Sequence, residues 1–331
     1  MALFQAIKMN ILHLEAHNYS ETTLNLLREV GSLTIADCKN EQEFRDVLSK
    51  GQYEVIFTTI GFSLNEESLG KQLNLHYIVS PTTGLNHIDL TYTQKKNMQV
   101  ISLKGERDFL KNVKSTAEHT WALLLSLVRQ VNLAVDSVAK NEWNREKFLC
   151  DELNTKTIGV IGYGRLGEII CEYASVFGMK VLVCETEEKR QQVAEKRGFS
   201  LVKLPELLKL ADNVLLMASY SPENENLMGK KEFSYMKEQS YFVNTSRGEM
   251  VDEQALLWAL DSKILKGAAL DVLRDDSSWR DNTPQKHPLI EYSKNNKNLI
   301  ITPHIGGYGE VSIALTRDFI TNKFIKEFKK Q

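Results

Sequence analysis

The chain has 331 residues, 42% of them hydrophobic and 25% charged, with a formal net charge of −2. That length fits one large or two medium domains, and the balance is that of a globular protein, which excludes a disordered chain. Near-neutrality without a basic block excludes a nucleic-acid surface, which needs clustered Lys and Arg to replace phosphate counterions.

The N-terminal stretch MALFQAIKMNILHLEAH is broken by Lys8, Asn10, His13 and Glu15, so it lacks the continuous apolar core of a signal peptide. Short buried strands are predicted at MNILHLEA, GSLTIADC, YEVIFTTI, LHYIVSPTTG and MQVISLKG, with polar helical pieces such as NEQEFRDVLSK between them. That rhythm predicts a parallel sheet with crossover helices. The charged connection KGERDFLKNVK follows, where Lys104 or Arg107 could favour an acidic or phosphorylated substrate; the plainer reading is a solvated linker.

STAEHTWALLLSLVRQVNLAVDSVAK then predicts one uninterrupted helix over 115–140, with Ser115 and Glu118 spaced as a capping box. Its apolar residues, including Trp121, Leu124, Leu125, Val128, Val131 and Val135, occupy more than one face. Such a helix is buried on several sides, against its own sheet and against a second subunit, with pure core burial as the alternative. The run WALLLSLV is too short to span a bilayer, and no membrane partner is expected. Cys38, Cys150, Cys171 and Cys184 form neither a CxxC pair nor a His/Cys cluster. No metal site or disulfide framework is expected; reduced thiols in a cytoplasmic protein are the simplest account.

A second αβ series begins at TIGVI, runs through GYGRLG and an amphipathic helix EIICEYASVFG, and reaches the strand KVLVCE. In this context the glycines are a dinucleotide fingerprint. Gly162 allows a tight turn, Gly164 lets backbone approach a pyrophosphate, and Gly167 permits close helix–strand packing. Tyr163 and Leu166 complete the cofactor-binding loop with Arg165, which either touches the pyrophosphate or is simply exposed, and the helix N-terminus offers free N–H groups to the phosphates. Glu185, about 20 residues on, can accept from the adenosine ribose hydroxyls and repel a 2′-phosphate, which makes NAD the expected cofactor. Further strands are predicted at NVLLMAS, SYFVNTS, GAALDV and NLIITPH, and a long closing helix at GEVSIALTRDFITNKFIKEF, whose basic end reads as solvated.

Ionisable residues stand at the ends of the later strands: Arg247 in VNTSRGEMVDEQAL, Asp275 and Asp276 in GAALDVLRDDS, and His304 in IITPHIGG. Ligands of open parallel sheets bind at the carboxyl ends of strands. An Arg to grip a carboxylate, a His to exchange a proton and an acid to orient the His suit reduction of a 2-keto acid.

With SPTTGLNHIDL, STAEHTWALLLSLVR, GVIGYGRLG, VNTSRGEMVDEQAL, GAALDV and ITPHIGG in this order, nearly the whole chain resembles the D-isomer-specific 2-hydroxyacid dehydrogenases, close to the D-3-phosphoglycerate dehydrogenase branch. The resemblance implies an α/β architecture of two doubly wound parallel-sheet domains. A Rossmann NAD-binding domain over 115–304 would be inserted into a flavodoxin-like substrate domain made of 1–114 and 305–331. It implies a homodimer built around the helix at 115–140, and a small 2-hydroxy or 2-keto acid as substrate. By the same resemblance Arg247 binds substrate, His304 is the acid/base, and Asp271 contacts the nicotinamide amide. The backbone of Thr82, Thr83 and Gly84 holds the substrate carboxylate. Ser221, Thr245, Ser246 and Gly306 fall on stretches lining the cofactor. The family's catalytic glutamate stands five residues past the LDV aspartate; here that position is Asp276, one methylene shorter, with Ser277 in place of proline and Asp275 as a solvated neighbour.

Two other readings compete. One is an NAD(H)-sensing, partner-binding protein on the same fold, as in the C-terminal-binding-protein co-repressors. The other is oxidation of formate or phosphite, against which Asp276 counts, because the family's formate enzymes carry Gln beside the His. Of the remaining histidines, His13, His17 and His76 read as structural or exposed, and His87 as packing near the substrate loop. His119 and Trp121 read as packing or interface. His287 and Trp279 lie in a long polar segment, where Trp279 or Arg280 either covers the substrate or sits in an exposed loop.

Overall fold

The computed structural model describes residues 9–58, 60–276, 279 and 286–330. Arg280, Ser277 and the stretch before Met9, all weighed above, lie outside the described residues. The chain divides into two compact units. The first runs to Val113 and resumes at Gly309; the second takes Lys114–Asp276 and the stretch ending at Tyr308.

The first unit holds five parallel strands: β1 (Met9–His13), β2 (Gly31–Ile35), β3 (Val55–Phe57), β4 (Tyr77–Ser80) and β5 (Gln99–Ser102). Their order is β2-β1-β3-β4-β5, the flavodoxin-like arrangement, with the switch point between β1 and β3. β3 and β4 are buried at every residue, as short runs of Val, Ile, Phe and Tyr must be when helices cover both faces. The closing helix Glu310–Phe328 packs on β4 and β5. Its Ile320 and Phe324 are fully buried, and Phe324 meets Phe57 edge-on at 5.4 Å. Burial of each contributes about 2–3 kcal/mol. Arg317, also buried on this helix, forks onto both oxygens of Glu15 at 2.9 and 3.0 Å.

The second unit holds seven parallel strands: β6 (Thr157–Ile161), β7 (Lys180–Cys184), β8 (Ser200–Leu201), β9 (Asn213–Leu216), β10 (Ser240–Asn244), β11 (Leu265–Leu270) and β12 (Leu299–Ile301). The order β12-β11-β10-β9-β6-β7-β8 is the Rossmann winding with one extra edge strand. It reverses between β6 and β9, which puts the turn after β6 at the crevice where dinucleotides bind. The two-residue edge strand β8 is too short to leave a periodic signal and is absent from the sequence reading.

Two expectations about the segment 115–140 are corrected. The single helix is two, Ser115–Val128 and Val131–Ala139, bent by 63°. Gln130 between them takes the left-handed conformation (φ 52°), and the Arg129 N–H closes the first helix onto Leu125. Neither Gly nor Pro marks the break, so composition hides it. The capping box is also absent: Lys114 is the N-cap without a side-chain bond, and the Ser115 hydroxyl instead donates to the Gly306 carbonyl at 2.7 Å. Among the described residues no single helix is long and apolar enough to cross a membrane.

Candidate active site

The glycine turn after β6 has the shape its residues dictate. Gly162 sits at φ 94°, a region that side chains avoid, and a Cβ there would lie 2.6 Å from the Ala218 backbone. A Cβ on Gly167 would lie 2.1 Å from the Gly162 carbonyl, so these two positions seal helix to strand. Gly164 differs: a Cβ there would meet only the end of the Arg190 side chain, at 3.0 Å. Its face is therefore open, and Gly164, with no side chain of its own, is the N-cap of the helix Arg165–Val176. Tyr163 is buried, while burial of the Arg165 guanidinium lowers its pKa from the ordinary value. Leu166 packs against the core of this unit.

Glu185, just past β7, accepts from the Tyr163 N–H at 2.7 Å through one carboxylate oxygen. The other oxygen accepts from Thr186 and Glu187 N–H at 2.7 and 2.9 Å. The carboxylate thus stands on the glycine loop itself. An open glycine face, a helix N-terminus and an acid beside them fit an adenine dinucleotide.

Beyond β9, Ser221 caps the short turn Pro222–Asn224, its N–H donating to Asn224 Oδ1. Beyond β10, Thr245 is buried with its hydroxyl 2.6 Å from that of Thr120, and the Ser246 hydroxyl donates to the Leu216 carbonyl. Arg247 follows, half-buried, with Nη1 donating to the Ser246 carbonyl at 2.6 Å. Among the described residues no carboxylate pairs with its guanidinium. Gly248 lets this segment press on the next strand's exit, since a Cβ there would lie 2.1 Å from the Leu273 carbonyl carbon.

Beyond β11 the two adjacent aspartates part company. Asp275 takes a left-handed conformation (φ 61°) and is exposed. That reversal turns Asp276 inward, where Oδ2 accepts from the Leu273 N–H at 3.1 Å and lies 3.0 Å from His304 Nδ1. His304 itself is left-handed (φ 54°), its N–H donating to the carbonyls of Asp271 and Thr302. An ionised carboxylate only accepts, so His304 Nδ1 carries the hydrogen and Nε2 is left for other chemistry. The pair is partly exposed, 26% for the His side chain and 16% for the Asp.

Asp271 is 1% exposed. Its Oδ1 accepts from the Thr302 hydroxyl at 2.6 Å and the Ile305 N–H at 2.9 Å, and Oδ2 from the Gly306 N–H at 2.7 Å. Burial works to raise its pKa, but the bonds from His119, Thr302 and Gly306 outweigh it and hold the carboxyl below the usual range.

In the first unit, Thr82 and Gly84 follow β4. The Thr82 hydroxyl donates to the Gly84 carbonyl at 2.8 Å, so Ser80 must donate to Thr82, and His87 Nε2, 3.2 Å from Ser80 Oγ, donates to Ser80. His87 is therefore a brace of that loop. Thr83 is exposed there, as are Lys104 and Arg107 after β5.

Several contributors escaped the sequence reading. His119, read as packing or interface, reaches Thr302 and Asp271. His287 is paired with Glu253 at 3.2 Å, and Glu253 also accepts from the Arg274 N–H, holding the Leu273–Asp276 turn from behind. Local sequence carried no signal for either. Among the described residues no group of three or more His, Cys, Asp or Glu gathers as a metal site would require.

Residues 121–306 match the family model of the D-isomer specific 2-hydroxyacid dehydrogenase NAD binding domain. The chain is 30% identical to the D-3-phosphoglycerate dehydrogenase of Methanocaldococcus jannaschii over 88% of its own length and 52% of that protein. It is 32% identical to that of Bacillus subtilis, over 81% and 48%. It thus spans about half the length of these curated relatives. Among solved structures, the D-lactate dehydrogenase of Aquifex aeolicus, complexed with NAD and lactic acid, superposes with a TM-score of 0.81 at 30% identity, covering 97% and 96% of the two chains. The NAD-dependent formate dehydrogenase of Staphylococcus aureus, in complex with NAD, gives 0.78 at 25% identity, covering 97% and 96%.

Proposed function

The chain belongs to the D-isomer specific 2-hydroxyacid dehydrogenase family, and from that premise we propose that it interconverts a small D-2-hydroxy acid and its 2-keto acid at the expense of NAD(H). The observation that carries this reading is the His304–Asp276 pair at 3.0 Å, at the carboxyl end of the sheet whose glycine turn fits a dinucleotide. NAD, when bound, supplies the hydride acceptor, and NADH the donor, for C2 of the substrate.

The chain's own residues do the rest. Arg247, without a carboxylate partner of its own among the described residues, is free to grip the substrate carboxylate and polarise the C2 carbonyl. In the first unit, Thr82, Thr83 and Gly84 are a proposed backbone anchor for a substrate carboxylate. His304 Nε2 gives a proton to the C2 oxygen in reduction and takes it back in oxidation. Asp276 fixes the ring through Nδ1 and stabilises its protonated form as charge develops on the substrate oxygen. Glu185, seated on the glycine loop, supports NAD over NADP. For assembly we propose a homodimer through the bent helix pair, because Val131, Val135 and Val138 are exposed apolar side chains that a second copy would cover.

The test is turnover: NADH oxidation with a panel of 2-keto acids, including pyruvate and phosphohydroxypyruvate. Reduction of at least one acid, lost in His304→Ala while NADH affinity is kept, supports the reading. Tight NADH binding without reduction of any acid would instead favour a nucleotide-sensing protein.

A further inference from the structure

One face of the helix Ser115–Val128 is laced to three strand ends of the second unit. The Ser115 hydroxyl donates to the Gly306 carbonyl at 2.7 Å, and Thr120 Oγ1 lies 2.6 Å from Thr245 Oγ1. Between them, His119 Nε2 lies 3.0 Å from Thr302 Oγ1 and 3.2 Å from Asp271 Oδ1. Residues 115 and 119 stack on one face because positions four apart do so along a helix, and Thr120 borders it one position on.

The hydrogens assign the tautomer. Thr302 has a single hydroxyl hydrogen, and it goes to Asp271 Oδ1 at 2.6 Å. Thr302 Oγ1 and Asp271 Oδ1 therefore both present only lone pairs to His119. A bare Nε2 would face two acceptors; a protonated Nε2 satisfies both.

What this donor steadies is the turn that carries His304. Asp271 accepts from the N–H groups of Ile305 and Gly306, on the C-terminal side of His304. The His304 N–H returns to the Asp271 carbonyl at 2.9 Å. His304 is left-handed (φ 54°), a conformation that non-glycine residues hold only when their surroundings impose it. We propose that His119 is a positioning residue: its Nε2–H fixes the Thr302–Asp271 pair, which in turn clamps the 302–306 turn and aims the His304 ring. The role belongs to the proposed dehydrogenase reaction and rests on that reading.

Two variants separate donor from bulk. Gln places an amide N–H near the position of Nε2 and keeps the donor; Leu fills the space without one. His119→Leu is expected to lower kcat about tenfold, the equivalent of ~1.4 kcal/mol of barrier, with KM for the acid and NADH affinity within about twofold. His119→Gln is expected to recover most of kcat. The second readout needs no turnover: hydrogen exchange of the Ile305 and Gly306 amides in the full-length protein, which should accelerate in His119→Leu and stay close to wild type in His119→Gln.

Equal loss in both variants, or unchanged exchange at 305–306 in His119→Leu, would overturn the positioning role. If no 2-keto acid is reduced by the wild-type protein, the dehydrogenase reading falls. The exchange result then decides by itself whether His119 clamps the turn.

Discussion

Replacing Asp276 by Asn removes the charge beside His304 while keeping the shape of the side chain. The amide oxygen can still accept from the Leu273 N–H, now at 3.1 Å, so the turn survives. What is lost is the charged partner 3.0 Å from Nδ1, in a pair whose side chains are each less than a third exposed. A hydrogen bond to a charged group contributes about 1.5–3 kcal/mol. If that is realised in the transition state, kcat falls roughly 10- to 150-fold. NADH affinity should hardly move, because Asp276 touches no part of the glycine turn. The control is Asp275→Asn: Asp275 is exposed and left-handed, a conformation Asn adopts as readily, so no effect is expected. The assay is steady-state NADH oxidation with the best keto acid, beside NADH binding by fluorescence. A loss of less than about threefold in Asp276→Asn, or a larger loss in Asp275→Asn, would refute the assignment.

Glu185→Gln removes the charge and leaves one acceptor oxygen, so either the Tyr163 N–H or the Thr186 and Glu187 N–H groups lose their partner as well; the ratio of kcat/KM for NADH over NADPH is expected to fall at least about tenfold. Arg247→Lys retains charge but loses the planar fork, so KM for the acid should rise about tenfold or more with NADH affinity unchanged. His13 gives a stability prediction. Its ring is fully buried between Phe57 and Tyr19, and burial first, then Arg317 and His17, pull its pKa from 6.5 down to about 3. The unfolded chain therefore binds the extra proton between these values. Stability is complete above pH 6.5 and falls on acidification toward pH 3, by up to about 1.4 kcal/mol per pH unit. Urea unfolding at pH 7.5 and 5.5 should show about 1.4 kcal/mol less acid loss in His13→Asn than in wild type; an identical loss in both would discard His13 as the source.

The fold was legible because its signals are local. β6, the glycine turn and the helix after it are contiguous, and Gly162 and Gly167 are demanded by contacts with their own turn or the neighbouring strand. Strands such as VIF and YIVS are short apolar runs that only a doubly covered parallel sheet accommodates. The bend at Gln130 was not legible, because a left-handed Gln is imposed by what surrounds it rather than by its own preference.

The sequence by itself determined the two windings, the glycine cradle and the order in which Arg247, the paired aspartates and His304 reach their strand ends. The family spacing already pointed to Asp276 over Asp275; the tertiary structure supplied the physical reason, since the left-handed turn at Asp275 sends one carboxylate outward and the other to a histidine 28 residues away. It likewise recruited His119 to a turn 183 residues distant. Periodicity reports which face of an element is buried; hydrogen bonds between residues far apart in the chain depend on three-dimensional placement, which no local pattern encodes.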